Sequence, residues 1–187
     1  QSVLHEVCGY DCCSIHTTSP DYMFARAYVT DAASNKNYVN YSSIVRCVNE
    51  NPVAHYTFGL GRGKICCPSV NISLNKCYDR SGIYCYPFCD SNSVTCSLTY
   101  SSFTDNNATG YTCIMLNRGG ANYEFKSCNI LRNTQVTLNT EGTIWTSGNL
   151  KIEDSCILEN KATRIFHQGS SYTITLSRCT VDSTTNN

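Results

Sequence analysis

Apolar and polar residues alternate in short runs near the end of the chain, as in LKIEDSCILEN (150–160) and YTITLSRCTVDS (172–183). A period of two places every second side chain on the same face, which is the pattern of a β-strand. The runs are rich in Ile, Thr, Tyr, Phe and Val, which strands prefer. Helical spacing is not sustained anywhere along the chain. The pattern therefore predicts an all-β protein.

One phrase recurs along the chain: an apolar residue, two spacers and a cysteine slot. The slots lie 23 to 30 residues apart, with phenylalanine in one slot and one extra spacer before another. Self-similarity at this period indicates a solenoid, a propeller or an array, and the units are too short for propeller blades. We therefore expect each copy to be one coil of a parallel β-helix, stacked on the next at roughly 4.8 Å.

This interpretation predicts a solenoid of about six to seven coils, with right-handed crossovers from the general chirality rule. The slots should form one core ladder, because cysteine packs as a small hydrophobe. A polar residue follows each slot at a turn, where asparagine tolerates left-handed geometry. The expected core ladder is Cys47, Cys77, Phe103, Cys128, Cys156 and Cys179. The expected polar turn ladder is Asn51, Ser81, Asn107, Asn133, Asn160 and Ser183.

The first 40 residues match the repeat poorly, which suggests two parts. We assign 1–40 to a cysteine-rich cap or variant first coil, and 41–187 to one continuous β-helix. Residues 19–33 fit either a helix, with a serine cap and Pro20 in its first turn, or a strand. The segments 58–68 and 84–96 are expected to protrude as loops.

Charge and hydropathy exclude two classes of partner. Lys and Arg number 14 and balance 14 Asp and Glu, which argues against nucleic-acid binding, since phosphate contacts need clustered cations. The sequence has no run of 18 apolar residues, so we expect no membrane span.

Fourteen cysteines form the strongest compositional signal. An even and dense set indicates an oxidising compartment and disulfides, with buried free thiols and a metal site as alternatives. The Cys-x-x-Cys spacing of zinc sites is absent, and Cys85 and Cys89 come nearest, with three residues between them. We therefore predict disulfides, no metal and no cofactor, and the pairing is not readable from spacing. Beyond the slots, the disulfide candidates are Cys8, Cys12, Cys13, Cys66, Cys67, Cys85, Cys89, Cys96 and Cys113.

Three sequons add to the case for export. Asn40, Asn71 and Asn107 each begin an Asn-x-Ser/Thr motif, which predicts N-linked glycans. Together with the cysteines, they favour a secreted protein that is extracellular or on the cell surface.

Coils such as SCNILRN, SCILEN and SSFTDNN resemble the right-handed parallel β-helix (pectin-lyase-like) superfamily. They are especially similar to the cysteine-containing repeats of polymorphic outer-membrane proteins and protist cell-surface proteins, over roughly residues 41–183. The GGAI and FxxN signatures of those repeats are echoed by Gly119-Gly120-Ala121 and by Phe103 with Asn107, the latter one residue too long. The superfamily includes polysaccharide lyases and hydrolases, tailspikes and adhesins, so the resemblance implies an extracellular and often carbohydrate-facing protein.

An enzyme is the weakest of the functional interpretations. The Asn-Thr-Asp, Asp-Asp and Gly-His-Gly signatures of the hydrolases that the fold resembles are missing, and no carboxylate pair stands out. Asp105, Arg132 and Asp154 could meet across coils, although any β-helix offers such coincidences. Trp145 is either a sugar-stacking platform or a half-buried strand residue. We predict no catalytic residues.

Three functions remain in order of preference. The first is an extracellular structural protein, a subunit of a coat or head-to-tail filament that associates end to end through open sheet edges. The alternative is an adhesin or carbohydrate-binding module that uses a tyrosine-lined lateral face or the predicted loops. The second alternative is a polysaccharide lyase or hydrolase.

Overall fold

The chain forms a parallel β-solenoid in the computed structural model, which describes residues 1–13, 21–49, 55–136, 141–169 and 171–182. Its described residues form twenty-three short strands and no helix, and each strand pairs in parallel with the equivalent strand of the next coil. The all-β parallel β-helix expected from the repeat is confirmed. None of the described segments forms an apolar helix long enough to cross a membrane.

Three long sheets and one short sheet make up the walls. Sheet 1 contains β1 Ser2–His5, β4 Lys36–Asn40, β7 Lys64–Pro68, β11 Val94–Thr99, β15 Asn122–Lys126, β19 Asn149–Glu153 and β22 Ile174–Ser177. Sheet 2 contains β2 Cys8–Tyr10, β5 Ser43–Val45, β8 Asn71–Ser73, β12 Ser102–Thr104, β16 Asn129–Leu131, β20 Cys156–Leu158 and β23 Thr180–Val181. The short sheet contains β9 Lys76–Cys77, β13 Asn107–Ala108 and β17 Thr134–Gln135. Sheet 3 contains β3 Asp21–Tyr28, β6 His55–Gly61, β10 Arg80–Tyr86, β14 Thr112–Leu116, β18 Ile144–Thr146 and β21 Phe166–Gln168.

The chain visits sheet 1, sheet 2 and sheet 3 in that order on every interior coil, and on three of them it passes through a strand of the short sheet between sheets 2 and 3. Sheets 1 and 2 each contain seven strands. These strands form about five full coils, preceded by a first coil and followed by a last coil of two strands. Residues 14–20 of the first coil lie outside the described residues. The described residues among 1–40 continue the same three sheets, and part of the segment that fitted helix or strand forms strand β3 from Asp21 to Tyr28.

Each coil contains an eleven-residue phrase that runs through sheets 1 and 2 without insertions. Strand register aligns the copies that begin at Ser2, Asn37, Ile65, Cys96, Tyr123, Leu150 and Ile174. The first and third residues of the phrase point inward from sheet 1, and the eighth points inward from sheet 2.

Two one-residue corners bend this phrase. Its fifth residue turns the chain from sheet 1 to sheet 2 (the first corner), and its tenth turns it towards the short sheet (the second corner); these residues have φ between 49° and 58°. None of them is β-branched, as expected where positive φ strains a branched side chain most. The first corner contains Glu6, Tyr41, Ser69, Tyr100, Ser127, Asp154 and Arg178. The second corner contains Asp11, Arg46, Leu74, Asp105, Arg132 and Glu159.

The core is a set of inward columns. The eighth phrase position supplies a fully buried column of Ile44, Ile72, Phe103, Ile130 and Ile157. Sheet 3 contributes a buried column opposite, of Phe58, Ile83, Ile114 and Ile144. Each such side chain contributes about 1.5–3 kcal/mol by leaving water, so the coils are held together by stacked apolar side chains as well as backbone bonds.

One of the two predicted loops is wrong. Residues 58–68 do not protrude, because they belong to β6 and β7, which meet at a tight turn through Arg62 and Gly63. Gly59 and Gly61 lie under tyrosine rings of the neighbouring coil rather than in a loop. The segment 84–96 is a loop only over 87–93, between β10 and β11.

Candidate functional site

The two faces of sheet 3 differ in chemistry. Its inward residues, such as Phe58 and Leu60, are fully buried and apolar. Its outward residues on the first three strands are almost all tyrosine, arginine or glycine. We call this surface the aromatic–arginine face; it consists of Tyr22, Arg26, Tyr28, Tyr56, Arg80, Tyr84, Tyr86 and, just after β14, Arg118.

Tyrosine rings stack along the solenoid axis on this face. The rings of Tyr22 and Tyr56 are stacked at 4.9 Å between centroids, and Tyr56 and Tyr84 follow at 5.5 Å with a 57° tilt. The Tyr22 ring lies flat on Gly59 of the next coil, and a Cβ at that glycine would overlap the ring. Glycine at this position therefore lets an aromatic ring lie along the sheet.

Arginines lie between and over these rings. The Arg26 guanidinium carbon is 3.9 Å from the centroid of Tyr28 and 5.5 Å from that of Tyr22. Arg26 is exposed, and no ion pair to it is found among the side chains that the structure describes. It is therefore the cation of this face that is open to a ligand.

The other two arginines are already paired. Arg80 forms an ion pair with buried Asp79, donates to Met115 Sδ at 2.8 Å and lies 4.8 Å from the Tyr56 ring centroid. Arg118 pairs with Asp31 at 3.2 Å and lies 4.7 Å from the ring centroid of Tyr86. These contacts fix the guanidinium planes against the rings.

Two phenol groups of the face, those of Tyr22 and Tyr84, are held neutral by burial. Burial raises the pKa of Tyr22, and a hydrogen bond with Tyr28 adds to the effect. Burial also raises the pKa of Tyr84, whose hydroxyl accepts a hydrogen bond from Asn117 Nδ2 at 3.2 Å. Both hydroxyls therefore stay protonated at any physiological pH.

The outward column continues on later coils with different residues. Tyr84 is followed by Met115, Trp145 and His167 at matching positions on β14, β18 and β21. Trp145 is a half-buried strand residue, which agrees with the second of the two roles that the sequence suggested for it. The tyrosines are thus concentrated at the end of the sheet where the chain begins.

This surface suits a flat ligand with acidic groups. Ring faces pack against the C–H faces of sugars in the same way as against other apolar surfaces. A guanidinium binds carboxylate or sulfate groups through two parallel hydrogen bonds. An extended carbohydrate that carries such groups can contact rings and Arg26 together.

The six residues of the expected core ladder do not form one column. Only Cys128 and Cys179 share a position, the sixth of the phrase, two coils apart. The other four lie at four different positions: Cys156 at the seventh, Phe103 at the eighth, Cys47 at the eleventh and Cys77 in the short sheet. The prediction was wrong because aligning copies on cysteine shifts them against the backbone register.

The polar turn ladder was half correct where it can be seen. Asn133 Nδ2 donates to Asn160 Oδ1 at 2.9 Å, so these two are ladder neighbours. Ser81 lies in β10 and Asn107 in β13, outside this column. The remaining two residues, Asn51 and Ser183, lie outside the described residues.

The complete column is an amide ladder, which we define as Asn75, Asn106, Asn133 and Asn160. Each Oδ1 accepts from the backbone N–H of the coil before it, at 2.9 to 3.1 Å. Each Nδ2 donates to a carbonyl of the preceding coil, at 2.8 to 3.0 Å. Sequence reasoning missed Asn75 and Asn106, although an ungapped alignment of the eleven-residue phrases places all four at its last position.

No two of the fourteen cysteines are at bonding distance in the structure, and the expected disulfides stay a prediction. Cys67, Cys85 and Cys96 are fully buried near one another, and burial raises the pKa of Cys67 and Cys96 well above the usual value. Within the part of the chain that the structure describes, no cluster of His, Cys, Asp or Glu has the arrangement of a metal site.

The predicted glycosylation residues all lie on strands. Asn40 ends β4, where its Oδ1 is 3.0 Å from His5 Nδ1. Asn71 begins β8 and Asn107 begins β13. All three are half-buried, and attachment of glycans to them stays a prediction.

Asp105, Arg132 and Asp154, which could meet across coils by sequence, belong to two separate ion pairs at the corners. Arg132 contacts both carboxylate oxygens of Asp105, at 2.8 and 2.9 Å. Asp154 does not join them, because it pairs with Arg178 of the next coil at 2.6 and 3.1 Å. Both pairs link corner residues of consecutive coils.

No family model, curated protein or solved structure matches the chain.

Proposed function

We propose that the protein is an extracellular, cell-surface β-helix module that binds an acidic carbohydrate on its aromatic–arginine face. The observation that supports this proposal is the exposed Arg26, which has no ion-pair partner among the described side chains and lies between tyrosine rings along the sheet. Among the functions expected from the sequence, the lateral tyrosine-lined face has the more specific structural support. Membership of the pectin-lyase-like superfamily agrees with this role and is part of the proposal.

Titration calorimetry with two matched probes tests the proposal. Oligogalacturonate carries carboxylates, and its fully methyl-esterified form keeps the sugar rings without the charge. We expect Arg26→Ala to weaken binding of the acid about tenfold or more, as for a lost charge-assisted hydrogen bond, and to leave the ester unaffected. Tyr84→Ala should weaken both probes about two- to tenfold through lost stacking.

Two controls match these variants. Tyr38→Ala removes a half-buried outward tyrosine from sheet 1, and Arg178→Ala removes an exposed arginine from the first corner. Neither should change binding. Equal loss in Tyr38→Ala and Tyr84→Ala, or no binding of either probe at millimolar concentration, would remove the proposal. Release of new reducing or unsaturated ends from oligogalacturonate would instead favour the lyase or hydrolase alternative.

An end-to-end filament is the second candidate. Strands β1 and β2 at one end, and β22 and β23 at the other, pair on one side only within the described chain. Parallel edges of this kind accept another strand with the same register. Electron microscopy of purified protein tests this role, and filaments with a constant axial repeat would favour it over binding by isolated molecules.

A further inference from the structure

The last position of the phrase changes chemistry at the start of the solenoid. The amide ladder occupies this column from Asn75 onwards, but the two coils before it carry Cys12 and Cys47 instead. Register fixes this placement, because Tyr10 pairs with Val45 and Asp11 N donates to Val45 O. The two cysteines are therefore neighbours in one column, one coil apart.

Their side chains have the same orientation. Cys12 Sγ is 3.8 Å from the carbonyl oxygen of Tyr10, and Cys47 Sγ is 3.9 Å from that of Val45. Both thiols therefore bond to the carbonyl two residues earlier, and they also interact with each other. Neighbouring strands lie about 4.8 Å apart, which falls within the Cα separation of roughly 4.4–6.8 Å that a disulfide needs.

We propose that Cys12 and Cys47 form a disulfide that fastens the first coil to the second under oxidising conditions. The oxidant is a small-molecule disulfide. The Cys12 thiolate attacks one of its sulfurs, so that a mixed disulfide forms and one small thiol leaves. The Cys47 thiolate then attacks the Cys12 sulfur and releases the second small thiol. Two protein thiols are oxidised, one small disulfide is reduced, and the two protons go to the released thiolates.

Exposure assigns the order of these steps. Cys12 is half-buried and can meet the oxidant, whereas Cys47 is fully buried. Burial raises the pKa of Cys47 to about 12, so the second step quickens as pH rises. Cys85 and Cys96 also interact, but both are fully buried on different sheets and offer the oxidant no accessible sulfur.

Non-reducing peptide mapping tests the pairing. The folded chain is incubated with oxidised glutathione at mildly alkaline pH, and free thiols are alkylated in denaturant. Trypsin then releases Cys47 on residues 47–62, which contain no other cysteine, and chymotrypsin cuts after Tyr10 to separate Cys8 from Cys12. We expect the 47–62 peptide to be linked to the one that carries Cys12, while Cys85 and Cys96 are recovered alkylated.

Two neighbouring variants decide which cysteine is used. Cys12→Ser should abolish the link, whereas Cys13→Ser, one residue away, should keep it. Oxidation should raise the melting temperature of the wild type and of Cys13→Ser by several degrees, but not that of Cys12→Ser. Recovery of Cys47 as an alkylated thiol from oxidised wild type, or its linkage to Cys8, would overturn the proposal without any variant having to fold. A link that survives in Cys12→Ser and is lost in Cys13→Ser would also overturn it.

Discussion

The two corners of the coil bend the backbone in the same way but satisfy it with different side chains. Just after the second corner, at the eleventh phrase position, every coil from the third to the sixth has an asparagine, and the amides connect from coil to coil. Just after the first corner, at the sixth phrase position, a buried serine appears on every second coil, as Ser42, Ser101 and Ser155. A continuous ladder therefore lies beside an interrupted one.

The difference follows from the number of donors and acceptors. A carboxamide has its donor and acceptor on separate atoms, so it can accept from one coil and donate to another. A hydroxyl has one proton, and Ser155 Oγ donates it to Glu153 O of its own coil at 2.7 Å while it accepts from Cys128 N at 3.0 Å. Serine therefore joins two coils, whereas asparagine joins a whole column.

The largest effect is expected from Asn106→Asp. Asn106 Nδ2 donates to Ile72 O and to Asn133 Oδ1, and a carboxylate there would face two acceptors in a buried site. Burial would raise its pKa above the unfolded value of about 4. Stability should therefore fall further as pH rises from 4 to 7. Urea unfolding at both pH values measures this, and the half-buried Asn160→Asp is the matched control with a smaller loss.

Asn106→Ala should be the next most damaging change. It leaves the buried Asn75 N–H without its acceptor, at about 1–3 kcal/mol, and removes the Nδ2 bonds to the Ile72 carbonyl and to Asn133 Oδ1, at about 0.5–1.5 kcal/mol each. A total loss of about 3–5 kcal/mol is expected, and urea unfolding at pH 7 measures it. A loss below 1 kcal/mol would mean that the amide ladder is not what holds this corner.

Ser101→Ala tests the first corner. It removes the acceptor of the Val70 N–H, at 3.1 Å, and leaves one buried donor unsatisfied. The expected loss is about 1–2 kcal/mol, smaller than for Asn106→Ala because the Ser101 hydroxyl makes two hydrogen bonds to the neighbouring coil, whereas the Asn106 amide makes four to its neighbours. Equal losses in the two variants would contradict the distinction between the corners.

The smallest effect is expected from Asp154→Asn, on the exposed side of the first corner. The hydrogen bonds from Arg178 lower the pKa of Asp154. Its contribution is therefore present above the unfolded carboxyl pKa of about 4 and is lost as pH falls through the lower folded value. Between pH 2 and 7, the melting temperature of Asp154→Asn should be lower than that of the wild type only above the folded pKa of Asp154. The difference should shrink in high salt.

The solenoid could be predicted because its signal is local and repeated. Alternation of apolar residues in copies such as those at Leu150 and Ile174 reports strands, and the repeat distance reports coils. The ladders could not be read the same way, since a one-residue shift of a strand moves every side chain to the other face. An alignment on cysteine places Cys156 beside Cys128 and Cys179, although it lies one position later in the phrase. The predicted column therefore does not match the true register.

The candidate binding face could be predicted only as a surplus of tyrosine. Tyr22, Tyr56 and Tyr84 are separated by at least 28 residues along the chain, and nothing in their local sequence relates them. Their stacking depends on which residue of β6 lies opposite which residue of β3 and β10. Bulges in these strands shift that register between Tyr22 and Ala25, and between Arg80 and Ile83.

The sequence by itself determined the class of fold, because period-two alternation and a repeat of about 25 residues leave few architectures that bury the apolar side chains. Only the tertiary structure decided which side chains share a column, and with it the amide ladder, the Cys12–Cys47 neighbours and the position of Arg26 among the rings. The physical reason is that hydrogen bonding between coils sets the register, and register is a property of two distant segments at once.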